Sequence, residues 1–246
     1  MNVNTIDLPR LRHNWKEDFD AMIAGVIPGY DDAPYAFTRY GDGEAAIISE
    51  RKYRTKADGW AYPGGYSEIS KHLCTTLTAN MPGYYIGLPS PTYEPKYLEE
   101  LVRYVRVPHN RITWAKIFID TNYKRFRAKM PSFIERCVVV SPSPMSDIFV
   151  PPNGVNPYCG DAIIDNIVTQ LKRIAVPILV AAGPLSNIII YRYWSNQPAD
   201  SRQTILDVGS AIDEHPKGRS RRVRTYSRLQ HKRRDWAPFI GGVPDV

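Results

Sequence analysis

Two carboxylates one residue apart, Asp42 and Glu44, stand in the run Arg39-Tyr40-Gly41-Asp42-Gly43-Glu44. Hard cations such as Mg²⁺ and Mn²⁺ take oxygen ligands and are commonly held by one or two carboxylates together with the phosphates of a substrate. On an extended turn, residues two apart point the same way, so both groups can face one cation. Gly41 and Gly43 let a bulky ligand approach the backbone closely, and Arg39 can clamp a phosphate on the same side. A plainer reading stands beside this one: Asp is a favoured helix N-cap, and an acidic first turn suits the helix dipole. Residues 35–39 read as a buried strand and 45–50 as a helix, so the run sits on a strand-to-helix turn.

The rest of the chain must position that turn. An amphipathic helix is expected over 8–26, from Leu8, Leu11, Trp15, Phe19, Met22, Ile23 and Val26, ending at Pro28-Gly29. Residues 52–65 read as a loop near the site. A helix is expected over 66–80, a strand over 84–88 and a helix over 97–105. Residues 112–119 read as a strand entering a helix that runs through Phe126. A strand is expected over 137–140, a Pro/Asn/Gly connection over 151–157 and a helix over 162–173. The last elements are a strand over 178–182, a helix over 185–194 and a strand over 204–208. Strands and helices alternate throughout, which predicts one α/β domain spanning the 246 residues, with a mostly parallel, Rossmann-like sheet flanked by helices.

In open parallel sheets, ligands bind beyond the carboxyl ends of the strands. Three such ends carry polar residues: Gly41 to Glu44, then Gly183-Pro184-Leu185-Ser186-Asn187, then Asp207-Val208-Gly209-Ser210-Ala211-Ile212-Asp213. Taken singly, these are ordinary helix-starting residues. Together they suggest a crevice of carboxylates, small residues and helix N-termini, which attract phosphate groups.

With 43% apolar and 23% charged residues, the chain has material for a sizeable core. No apolar run approaches membrane-span length, and the first twelve residues lack the apolar segment of a signal peptide; the expectation is a soluble, cytoplasmic protein. Cys74, Cys137 and Cys159 suit a reducing compartment, with no Cys-x-x-Cys spacing for zinc. The five histidines show no H-x-x-x-H spacing.

The run Phe37-Thr38-Arg39-Tyr40-Gly41-Asp42-Gly43-Glu44 resembles the F-x-R-[FY]-G-D-G-E signature of glycosyltransferases of the GT-D fold, a family long listed as a domain of unknown function. The later segments Ala182-Gly183-Pro184, Asp207 to Asp213 and Arg221 to Tyr226 are similar in order and spacing to that family's G-P, D-x-G-S-x-x-D and T-R-x-Y-like motifs. The tail departs: Arg224-Thr225-Tyr226 stands where Thr-Arg-x-Tyr is expected. The resemblance implies a GT-D type fold and transfer of a sugar from a nucleotide-diphosphate sugar, with a UDP-sugar as the expected donor, to a hydroxyl. It implies that Asp42 and Glu44 hold Mn²⁺ or Mg²⁺. Arg39, Gly41, Asp42, Gly43, Glu44, Gly183, Ser210, Lys217, Arg222, Arg224 and Tyr226 are the expected donor contacts. Asp207 and Asp213 are the candidates for the base that takes the acceptor's proton, with an N-cap or loop hydrogen bond as the plainer reading of each.

The net charge of +7 is concentrated near the C-terminus, in residues 214–246. A solvated basic tail is the simplest reading. Arg228, Lys232, Arg233, Arg234 and Trp236 lie beyond the family motif, and clustered basic residues interleaved with aromatics form the footprint expected for a polyanion. A basic glycosyltransferase without an anchor suggests DNA as acceptor, through the hydroxyl of a hydroxymethylated pyrimidine of the 5-hydroxymethylcytosine type, as phages carry; the base would be extruded from the stack. The alternatives are a bacterial surface-polysaccharide or glycoprotein transferase whose basic patch serves a membrane or lipid-linked acceptor, and a non-catalytic nucleic-acid-binding protein. The sequence does not define an oligomeric state.

Overall fold

Short runs of branched and aromatic residues, apolar on both faces, suit strands covered by helices on both sides. The computed structural model describes residues 33–54, 60–90, 94–118, 122–151, 158–212 and 217. In chain order the strands are β1 (Ala36–Arg39), β2 (Tyr53–Arg54), β3 (Ala61–Tyr62), β4 (Tyr84–Leu88), β5 (Ile112–Trp114), β6 (Val138–Ser141), β7 (Ile148–Phe149), β8 (Ile178–Val180) and β9 (Ile205–Asp207). The helices are α1 (Asp42–Ile48), α2 (Glu68–Thr78), α3 (Pro95–Val102), α4 (Tyr123–Ile134), α5 (Asp161–Leu171) and α6 (Leu185–Asn196).

Seven strands form one sheet in the order β5-β4-β1-β9-β8-β6-β7. Every pairing within it is parallel. The hairpin β2–β3 stands apart as an antiparallel pair. Alternation along the strands splits the interior into two cores. Ala36, Ile178 and Ile205 face the layer of α1, α2, α3, α5 and α6. Phe37, Leu179 and Leu206 face α4 and the 3₁₀ turn Gly209–Ile212. Steps toward β5 carry their helices on the first face, and the long step from β5 back to β6 carries α4 on the other, as a single crossover hand requires. The two halves of the sheet meet where β1 lies beside β9, which brings the ends of the first and third polar motifs together.

Most expected elements occur with boundaries moved by one to three residues. Three differences have physical causes. The helix expected from residue 45 begins at Asp42, because Gly41 takes the extended N-cap conformation and the motif itself supplies the first turn. The strand expected over 112–119 stops at Trp114, and the following helix runs to Ile134 through Pro131. Phe126, Met130, Phe133 and Ile134 recur at helical spacing and bury in the second core, and that burial prevails over the proline. Part of the expected loop over 52–65 is the β2–β3 hairpin, whose residues 55–59 lie outside the described residues. The expected helix over 8–26 and residues 152–157 of the expected connection also lie outside them. Strand β7, two residues long, had no signal of its own. Cys74, Cys137 and Cys159 are free thiols. Among the described residues, no helix is long and apolar enough to cross a membrane.

Candidate functional site

The two motif carboxylates occupy the first turn of α1, not an extended turn. Successive helical residues are rotated by about 100°, so positions two apart diverge. Asp42 is exposed and accepts a hydrogen bond at Oδ2 from the Tyr53 hydroxyl, 2.9 Å away. Glu44 is half-buried and folds back, its Oε2 accepting from the Gly41 backbone N–H at 2.8 Å. That contact is the returning arm of a capping box, so the plainer reading of the motif is realised in part. Burial pushes the Glu44 carboxyl up to about 7, against the pull of the Gly41 N–H, and the charges of Asp207 and Asp42 add to the rise.

Arg39 ends β1, and three neighbours fix its position. Its Nη1 donates to the Ala115 carbonyl at 3.2 Å, its backbone N–H donates to Asn187 Oδ1 at 3.2 Å, and its Nε lies 3.4 Å from Asp207 Oδ1. Asp207 ends β9 and is only 3% exposed. Burial raises its pKa, while Arg39 and the Gly209 N–H oppose the rise. That N–H donates to Asp207 Oδ1 at 2.9 Å. Gly209 has φ +47°, and a Cβ there would overlap the Arg39 guanidinium. The position therefore needs glycine for its backbone and for the close approach of the arginine.

The second motif end, at Gly183, joins through an aromatic residue. Trp60 lies against both glycine loops: a Cβ on Gly43 would sit 2.8 Å from its Cη2, and one on Gly183 would sit 3.5 Å from its Nε1. The Tyr53 ring packs on Trp60 with centroids 5.0 Å apart and planes inclined by 35°. At the start of α6, Ser186 accepts the Ala182 N–H at 2.9 Å, and Asn187 is fully buried.

Arg39, Gly41, Asp42, Gly43, Glu44 and Asp207 are thus brought together, with Gly183 joined through Trp60 and Ser210 in the turn that follows Asp207. Lys217 is not among them. Its ammonium holds both oxygens of Asp147, at 2.8 and 2.9 Å, and its carbonyl accepts from the Ser141 hydroxyl. Ser141 ends β6, three strands from β1, or roughly 14 Å at ordinary strand spacing. Asp213, Arg222, Arg224, Tyr226, Arg228, Lys232, Arg233, Arg234 and Trp236 lie outside the described residues.

Four residues near the site were not singled out from sequence. Tyr53 and Trp60 stand in a stretch that read as loop, and only its aromatic content hinted at them. The other two are Lys116 and Glu94, whose Nζ and Oε1 are 2.6 Å apart. Lys116 follows the carbonyl that holds Arg39, and neither residue belongs to a recognisable motif.

Among the described residues, no three of His, Cys, Asp and Glu group as an all-protein metal site. Two carboxylates are what a hard divalent cation shared with a ligand's phosphates commonly takes from the protein, and here the helical turn points Asp42 and Glu44 in different directions. Burial is the main cause of the raised Glu44 carboxyl, with smaller contributions from the charges of Asp207 and Asp42.

No protein-family model matches the chain, and no curated protein matches it. Two solved structures are similar. One is described as "The highly conserved domain of unknown function 1792 has a distinct glycosyltransferase fold", with 17% identity, TM-score 0.46 and 74% of each chain covered. The other, a selenomethionine-substituted structure of domain of unknown function 1792, shows 16% identity, TM-score 0.47 and the same coverage. The strand order and the all-parallel pairing make this chain an α/β protein with a helix-flanked parallel sheet.

Proposed function

We propose that the chain is a glycosyltransferase, moving a sugar from a nucleoside-diphosphate sugar to a hydroxyl. The observation that carries this reading is convergence. Arg39, Asp42 and Glu44 of the first motif meet Asp207 of the third at the carboxyl ends of adjacent strands, where open parallel sheets bind their ligands.

In this reading Asp42 and Glu44 hold Mn²⁺ or Mg²⁺, which when bound neutralises charge growing on the departing nucleoside diphosphate. Arg39 presents a second, fixed cation to the same phosphates. Its aim is set by Asp207 and by the Ala115 carbonyl. Asp207 is buried beneath that guanidinium, so it positions Arg39 and does not face an acceptor hydroxyl. The role of base then falls to Asp213, the other carboxylate of the third motif.

The proposed acceptor is a hydroxymethylated pyrimidine in DNA. Arg228, Lys232, Arg233 and Arg234, with Trp236, supply the charge and the stacking surface that a nucleic acid needs. Such an acceptor puts the enzyme in the cytoplasm of a bacterial host, with a phage genome as the carrier of the modified base. The test is nucleoside diphosphate release with Mn²⁺, a panel of UDP- and GDP-sugars, and DNA with or without 5-hydroxymethylcytosine. Release that requires the modified DNA is the expected result. Release indifferent to DNA would keep the transferase and move its acceptor to a glycan or protein. No release from any donor, alongside salt-sensitive DNA binding, would make the chain a nucleic-acid-binding protein without catalysis.

A further inference from the structure

The phosphate-directed chemistry above leaves Tyr53 and Trp60 without a task, yet they occupy the middle of the site. The indole reaches from the α1 turn to the loop before α6. Its benzo edge approaches Gly43 so closely that an added Cβ would stand 2.8 and 2.9 Å from Cη2 and Cζ2. Its nitrogen end lies over Gly183. A side chain at Gly43 would push the ring out of this place.

Two features argue against simple core packing. Trp60 is only half-buried where it packs against the edge of the main core. The aromatic pair is also tied to the polar site, since Tyr53 stacks on Trp60 and gives its hydroxyl hydrogen to Asp42 Oδ2. A flat π surface therefore stands beside the carboxylate expected to meet a diphosphate. The flat part of a nucleoside diphosphate is its base, and every base offers a π face to an aromatic side chain.

We propose that Trp60, backed by Tyr53, is the stacking surface for the base of the nucleoside diphosphate; this rests on the transferase reading and extends it to a named subsite. Stacking on an indole depends little on hydrogen-bond pattern, so the surface accepts uracil or guanine, and discrimination between them lies elsewhere.

The test is calorimetric titration of UDP, GDP and ribose 5-phosphate, each with Mn²⁺, into the full chain as wild type, Trp60→Phe and Trp60→Leu, with melting temperatures alongside. Trp60→Leu should weaken UDP and GDP about ten-fold or more and leave ribose 5-phosphate within about two-fold, with Trp60→Phe between. Equal weakening of all three ligands would make Trp60 structural and overturn the subsite. Unchanged UDP binding by Trp60→Leu, with the wild type binding normally, would overturn the subsite and leave the transferase reading standing. A wild type that binds no nucleotide would overturn both. Should Trp60→Leu fail to fold, Gly43→Ala displaces the same indole edge and must show the same base-dependent loss.

Discussion

Gly209 and Arg39 show how closely the site depends on single residues. Alanine at 209 must adopt φ near +47° and overlap the guanidinium. Strain of this kind costs about 1–3 kcal/mol, so Gly209→Ala should lower stability by that amount in urea denaturation; unchanged stability would contradict the packing described. Glu44 makes a prediction in pH. Its carboxyl is raised from 4.5 to about 7 in the folded protein. The folded state therefore binds this proton more readily than the unfolded chain, and the cost of ionising Glu44 is absent at low pH. That cost grows as pH rises from about 4.5 and is complete above about 7. Asp207 is shifted in the same direction by burial. Without added metal, stability should fall across this window, and Glu44→Gln should flatten the fall. Mn²⁺ should raise the melting temperature more at about pH 8 than at about pH 5.5, because a cation and a proton compete for the same carboxylate. An equal Mn²⁺ effect at both pH values would separate the cation from Glu44.

At the scale of elements, burial decides where local signals conflict. Helix α4 carries Pro131 at an exposed interior position and persists because its apolar stripe fills the second core. Proline in a helix interior costs roughly 3 kcal/mol relative to alanine. Pro131→Ala should therefore stabilise the protein by about 1–3 kcal/mol, and a loss of stability would show that the proline itself is needed for packing. This element also shows what was legible in sequence. Strands with strong apolar runs, such as residues 138–140 and 178–180, were readable because both faces are buried. The true length of α4 was not, because Pro131 argues locally for a stop, and the two-residue strands β2, β3 and β7 are too short to carry a period.

For the whole molecule, the parallel sheet followed from the alternation of strands and helices, and the strand order from nothing local: β9 pairs with β1 across most of the chain. The motif residues of the site were legible for the same reason. Arg39 and Asp207 end strands, and Asp42 and Glu44 stand in the helical turn just after one, places that a periodic pattern marks. Trp60 and Tyr53 were missed because their place depends on a hairpin folding back over α1. The direction of each motif side chain was also beyond the sequence, and the expected extended turn proved to be a helical one. The basic segment gives the prediction at this scale. Duplex DNA binding should weaken steeply with salt. Replacing Arg228, Lys232, Arg233 and Arg234 together by Gln should reduce the slope of log affinity against log salt by about three to four. An unchanged slope would remove these residues from the DNA interface.

The central claim is that Asp42 and Glu44 form a cation and diphosphate site and do more than cap α1. Electron paramagnetic resonance of free Mn²⁺ tests it without turnover. The wild type should bind one Mn²⁺, more tightly when UDP is present, and Asp42→Asn should weaken that binding at least about ten-fold while its melting temperature without metal stays near wild type. Equal Mn²⁺ binding by wild type and Asp42→Asn, with or without UDP, would contradict the claim and leave the motif as a helix start.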